Sequence, residues 1–276
     1  MCGAGYGAVA ANPVVQRQGA WGRFLALPKD SPAKVVAVTV AVCLVCSVLV
    51  SAAAVILKPI QMRNAELARQ EEILKVAGLY VPGVDVAQSF AAIETRYVDL
   101  DTGREVQELP EGALARSTPF LPDADIAGIG SRPVYRPVYR VRRGVEVETL
   151  VVPVYGKGLW STVHGFVALA PDGRSIKDVT FYDHGETPGL GGEISNPSWQ
   201  AKWSGKQIYG ADGSVALRVI KGAPRPGSPD AAHQIDGLSG ATLTGNGITH
   251  LIQFWLGAQG YGPFLTRLAQ SADAGG

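Results

Sequence analysis

Cysteine is nearly missing from this 276-residue chain: there are three, and none lies beyond Cys46. The long C-terminal part can therefore hold no disulfide framework and no cysteine-ligated metal centre of its own. Histidine is as sparse, and His164, His184, His233 and His250 show no metal-ligand spacing, so His184 reads as a structural or surface residue. An excess of one charge is also lacking. With a formal net charge of +1 nothing points to nucleic acid, and Arg140-Val141-Arg142-Arg143 reads as a solvated loop rather than a binding patch. No P-loop ending in Gly-Lys-Ser/Thr and no dinucleotide fingerprint between strand and helix occurs, which leaves no evident place for ATP or NADH.

What is present starts with an apolar run. From Val35 to Leu57 the chain has 23 residues without a charge, flanked by Lys34 and Lys58. As a helix this run reaches about 35 Å, enough for a hydrocarbon layer about 30 Å thick. A core helix of a soluble protein is usually shorter and carries a polar stripe. A signal peptide has a shorter apolar region and a clear cleavage site. The run therefore predicts an uncleaved single-pass anchor. Arg17, Arg23, Lys29 and Lys34 before it nearly balance Lys58, Arg63, Arg69 and Lys75 after it, so positive charge alone does not orient it. Cys43 and Cys46 share one face of this helix. They read as lipid-facing small residues, with an iron–sulfur site shared with a partner subunit as the alternative.

Beyond the anchor, Pro59 to Leu79 predicts a helix that stops before Pro82, and Ser117 to Asp125 an irregular excursion. Strand character follows at Val145–Tyr155, His164–Ala170, Ile176–Tyr182 and Val215–Ile220. Ser195 to Trp203 predicts a capped short helix with Pro197 in its first turn. Strands come in a run without βαβ alternation or internal repeat, so the class is α+β.

The densest chemistry lies at Asp236-Gly237-Leu238-Ser239-Gly240-Ala241-Thr242-Leu243-Thr244-Gly245-Asn246-Gly247. Small hydroxyl residues and glycines stand before a helix read from Gly247, with Ile248, Leu251, Ile252 and Trp255 on one face. Such a helix start attracts anions, and equally its Ser or Thr can serve as a plain cap. Two glycine-rich loops accompany it, Gly156 to Trp160 and His184 to Glu193.

Asp236 to Thr242 resembles the flavinylation motif of the FMN-binding domain family, in which a flavin transferase esterifies a threonine hydroxyl with the phosphate of FMN. By that resemblance Thr242 is the acceptor, with Thr244 as rival. Ser239, Gly240 and Ala241 complete the motif, and Asp236 serves recognition by the transferase. Glu186-Thr187-Pro188-Gly189-Leu190-Gly191 resembles the segment of the same family that packs on the isoalloxazine ring. Thr187, Gly189 and Leu190 are then ring contacts, Glu186 a contact or a solvated carboxylate, and Trp160 a stacking partner or a core residue.

The chain as a whole is similar to the C-type subunits of bacterial Na+-translocating NADH:quinone reductases. The resemblance rests on Leu57-Lys58-Pro59-Ile60-Gln61, both flavin segments, Phe254-Trp255-Leu256-Gly257 and Gly262-Pro263-Phe264-Leu265. The G-type subunit of the Rnf electron-transport complex, also with covalent FMN, is the alternative. The resemblance implies a cytoplasmic tail (1–33), a transmembrane helix (34–57), a linker helix (58–80) and an FMN-binding domain with a mainly antiparallel sheet (81–276). It places the chain in the bacterial inner membrane with its soluble domain periplasmic. It also implies a flavoprotein, and through the phosphoester a phosphoprotein, that relays electrons among the subunits of a sodium-pumping translocase. Those electrons start on NADH elsewhere and end on ubiquinone; the chain is not active alone.

Overall fold

The computed structural model describes residues 31–120 and 124–275, with Gly22 and Pro28 besides. Most of the expected tail, including Cys2, Arg17, Arg23 and Lys29, lies outside the described residues, as do 121–123 of the expected excursion. Helix α1 (Pro32–Val76) is continuous through both the expected anchor and the expected linker. It is long and apolar enough to cross a membrane, and none of its apolar window is buried. Cys43 and Cys46 are both exposed on it. The chain divides into two compact units after Arg63. The sheet unit begins at Asn64, so the last turns of α1 belong to it, with Ile73, Leu74 and Val76 buried.

Where α1 stops has a local cause. Gly78 adopts φ +72°, and the Leu79 N–H turns back to the Leu74 carbonyl at 2.8 Å. This left-handed glycine terminus ends the helix before the Leu79 limit read from sequence. After α2 (Val86–Phe90), capped by Asp85, the strands begin.

Strands β1 (Glu94–Asp99) and β2 (Arg104–Val106) precede a short ribbon of β3 (Ser117–Pro119) and β4 (Ser131–Pro133). Then come β5 (Tyr135–Arg143), β6 (Glu146–Lys157), β7 (Thr162–Leu169) and β8 (Ile176–Asp183). Six of these form one sheet in the order β2-β1-β5-β6-β7-β8, with every neighbouring pair antiparallel. Alternation assigns its faces. Leu150, Val152 and Val154 of β6 enter the larger core, whereas Val151 joins Phe166 and Ala168 under the end of α1.

Three sequence expectations are corrected. Arg140 to Arg143 is not a loop but the end of β5, a central strand. Arg140 pairs with Glu105, Arg142 with Glu94 at 2.7 Å and Arg143 with Glu148 at 3.2 Å, so cross-strand acids neutralise the cations. The expected strand Val215–Ile220 shrinks to β9 (Arg218–Val219), which pairs in parallel with β10 (Gln234–Ile235). Ala216 and Leu217 spend their N–H groups on the single carbonyl of Ile208 instead. The short helix is α3 (Pro197–Gln200), with Asn196 as cap and Pro197 in its first turn, as the sequence predicts.

Helix α4 is the third correction. It spans Thr242–Leu256, five residues earlier than the start read at Gly247. Gly245 and Gly247 look like helix breakers in sequence but here permit close packing. A methyl group on Gly247 would stand 2.5 Å from the Lys157 carbonyl oxygen, and one on Gly245 3.2 Å from Val219. The apolar face read from sequence is correct: Ile248, Leu251, Ile252 and Trp255 are buried against the sheet. Helix α5 (Gly262–Gly275) completes that layer through Phe264 and Leu265.

Candidate functional site

Three segments meet at the N-terminus of α4. One is the β6–β7 loop, Gly158 to Ser161; another is the loop after β8, His184 to Gly192; the third is α4 with its approach from Asp236. Glu186 ties them together. Its Oε2 accepts from the Thr244 hydroxyl at 2.6 Å, and its Oε1 accepts from the Trp160 N–H at 2.9 Å. Burial alone would push this carboxyl up. Hydrogen bonds from Thr244 and from the backbone of Trp160, Ser161 and Leu159 outweigh it and hold the group below the ordinary glutamate range.

A depressed folded-state pKa contributes stability that is present above the ordinary glutamate value of about 4.3 and is lost as pH falls through the folded value. Glu186→Gln is therefore expected to flatten the acid limb of melting temperature against pH. Parallel acid limbs for the two chains would refute it.

His184 has a bonding pattern that uses both ring nitrogens. The Ser195 hydroxyl donates to the Phe181 carbonyl at 2.6 Å and so accepts from His184 Nε2 at 2.7 Å, while Nδ1 accepts from the Glu186 N–H at 3.3 Å. This assigns the Nε2–H tautomer and a structural role.

The two threonines of the motif part company. Thr244 is fully buried with its hydroxyl engaged, whereas Thr242 is exposed and lines a cavity of about 460 Å³. That volume lies within the range of about 300–1,000 Å³ typical of small-molecule sites. Lys221, Ser239, Gly240, Ala241 and Asn246 also line it. Ala241 is the N-cap of α4 and no side chain caps it, so Thr242 is not the capping residue. The first intrahelical bond runs from the Gly245 N–H to the Ala241 carbonyl, so the amides of Thr242, Leu243 and Thr244 have no acceptor within the helix. Thr242 with its hydroxyl at the open helix start, Ser239 and a lysine lining one cavity suit a phosphate ester.

The remaining expected site residues fall nearby. Asp236 pairs with Lys202 at 2.5 Å, and its carbonyl accepts from Trp199 Nε1 at 2.8 Å, which fixes the start of the motif against the α3 region. Thr187 is exposed, and its carbonyl accepts from the N–H groups of Leu190 and Gly192, closing a turn with Gly189 at φ +75°. Leu190 reaches Gly240: a methyl there would lie 2.9 Å from Leu190 Cδ2. Trp160 is 70% exposed and is no core residue.

Residues 158–257 match the FMN-binding domain family. The chain is 44% identical to the C-type subunit of the Na(+)-translocating NADH-quinone reductase of Pasteurella multocida, over 87% of its own length and 95% of the relative's. With the corresponding protein of Vibrio alginolyticus identity is 43%, over 88% and 98%. The chain belongs to the NqrC family, the C-type subunits of Na(+)-translocating NADH-quinone reductases. The crystal structure of Shewanella oneidensis NqrC superposes with a TM-score of 0.66 at 34% identity, covering 74% of this chain and 97% of that one. The structure of the same subunit type from Parabacteroides distasonis, 24% identical with a TM-score of 0.58, shares the fold.

Within this family fold, two cavity residues escape a reading of the motif alone. Lys221 lies just after β9 and far upstream of Thr242, brought to the cavity by the β9–β10 pairing. No local pattern marks it. Asn246 is legible in hindsight, since four residues after Thr242 places both on one helix face.

Proposed function

We propose that this chain is the electron-relay subunit of a membrane NADH:ubiquinone reductase that pumps sodium, with FMN joined through its phosphate to the Thr242 hydroxyl. The observation that carries this reading is the contrast within one helical turn: Thr242 open on an anion-friendly cavity, Thr244 buried and committed to Glu186. The names of the relatives support the complex, and the matched domain supports the cofactor.

Bound FMN supplies reversible electron acceptance. The chain supplies position. Thr242 tethers, and Lys221, Ser239 and the first amides of α4 hold the phosphate. Thr187, Gly189, Leu190 and Trp160 flank the ring. A bonded flavin cannot diffuse away, which suits a fixed relay between other subunits. The α1 anchor sits in the bacterial inner membrane with the N-terminus cytoplasmic and the flavin domain periplasmic. A flavin transferase completes the chain.

The test is the mass of the tryptic peptide Gly222–Arg267 from chain coexpressed with a flavin transferase, fragmented to find the adduct. One FMN less one water on Thr242 is expected; an unmodified peptide overturns the reading.

The Lys202–Asp236 pair gives a second expectation. It is partly exposed, so losing it costs about 1 kcal/mol or less. Lys202→Met is expected to slow flavin attachment several-fold by releasing the start of the motif, with little change in melting temperature. Timed in-gel flavin fluorescence measures this, and an unchanged rate would remove Lys202 from the account.

A further inference from the structure

Glu186 is 5% exposed, and the foremost influences that keep it ionised are neutral hydrogen-bond donors, the Thr244 hydroxyl and the amides of Trp160, Ser161 and Leu159. A buried anion is costly. This one is nonetheless built in. A methyl group on Gly158 would stand 2.5 Å from Oε1, and one on Gly191 would stand 2.8 Å from Oε2 and 2.5 Å from the Thr244 hydroxyl. Two glycines thus make the space in which the carboxylate and its donors fit. Thr244, its hydroxyl donor, is the third residue of α4, so the charge also meets the positive end of that helix. It is the end that bears Thr242.

From this geometry we propose that Glu186 is a fixed negative charge that holds down the reduction potential of a flavin tethered at Thr242. The inference rests on the flavin reading above. Uptake of two electrons with one proton leaves a flavin one negative charge richer. A buried anion nearby opposes that gain, because little solvent screens it. Glu186 acts through the field and is a positioning and tuning group; both its oxygens are turned to Thr244 and the Gly158–Ser161 loop, not to the cavity.

The test is spectroelectrochemical titration, at one pH near neutrality, of full-length chain coexpressed with a flavin transferase and solubilised in detergent. Glu186→Gln keeps the shape and removes the charge. Its midpoint is expected to move upward, with the reduced-to-oxidised ratio at a fixed electrode potential rising on the order of tenfold. Thr244→Val keeps the charge and removes a donor that disperses it, so its midpoint is expected to move downward. A merely structural role gives no such opposition of sign. Unmoved midpoints, or both variants moving the same way, overturn the proposal. Should Glu186→Gln take up no flavin, Thr244→Val decides alone, and an unchanged or raised midpoint there overturns it. Absence of flavin on the unmodified sequence would instead sink the parent reading, which the Gly222–Arg267 peptide mass reports separately.

Discussion

Thr242→Val is expected to yield a folded, membrane-anchored chain with no covalent flavin at all. The side chain is exposed at the first position of α4, touches the cavity and caps nothing. Valine there costs at most a few tenths of a kcal/mol in helix propensity. The effect on attachment is all-or-none, because without an Oγ there is no atom to bond to phosphorus. Thr244 cannot take over. Two residues turn a helix by about 200°, which points Thr244 away from the cavity, and its hydroxyl is spent on Glu186. Thr244→Val should accordingly keep the adduct and Thr242→Ser should retain part of it. In-gel flavin fluorescence with peptide mass reads all three. Flavin surviving on Thr242→Val chain would transfer the acceptor role to another hydroxyl and remove the basis for the relay reading.

How much of this was legible in the sequence depends on whether the signal was local. The long apolar helix was, since an unbroken apolar run needs no tertiary context. The late strands were, because β6, β7 and β8 carry dense apolar patterns. Strand β5 was not: Pro137 and four arginines disguise it, and what makes it a strand is distant. Glu94 and Glu105 meet Arg142 and Arg140 across strands, Arg136 lies over the rings of Tyr155 and Trp255 at 5.1 Å each, and Tyr261 donates to the Pro137 carbonyl at 2.8 Å. The start of α4 was hidden for a related reason. Gly245 and Gly247 weaken a helix taken alone, and only their approach to Val219 and Lys157 explains them. At the site, the motif letters put Thr242 and Thr244 side by side, and that Thr242 lines the cavity while Thr244 is buried follows only from where Glu186 goes. A carboxylate in a glycine-rich loop looks solvated until Gly158 and Gly191 are seen to enclose it.

Trp255→Ala is expected to destabilise the sheet unit by about 3–5 kcal/mol. Trp255 is fully buried on the core face of α4. Its ring packs against Tyr155, Phe254 and Tyr261 at 4.9–5.9 Å, and its Nε1 donates to the Tyr155 carbonyl at 2.6 Å. Truncation leaves a cavity, an unpaired carbonyl and the Arg136 guanidinium without one of its two ring partners, so several costs add. In a unit of this size the melting temperature should fall on the order of 10 °C, read by thermal unfolding. Trp255→Phe keeps an aromatic ring and loses the donor, and should cost about 1–2 kcal/mol. The consequence reaches the site because the same helix carries Thr242 at its first turn, held to the sheet by this residue at its last. Flavin attachment on Trp255→Ala chain should therefore drop below what its folded fraction predicts, while Trp255→Phe tracks that fraction. Attachment in proportion to folding for both variants would show that the first turn of α4 is fixed by Glu186 and Gly247 alone, independent of the packing at its far end.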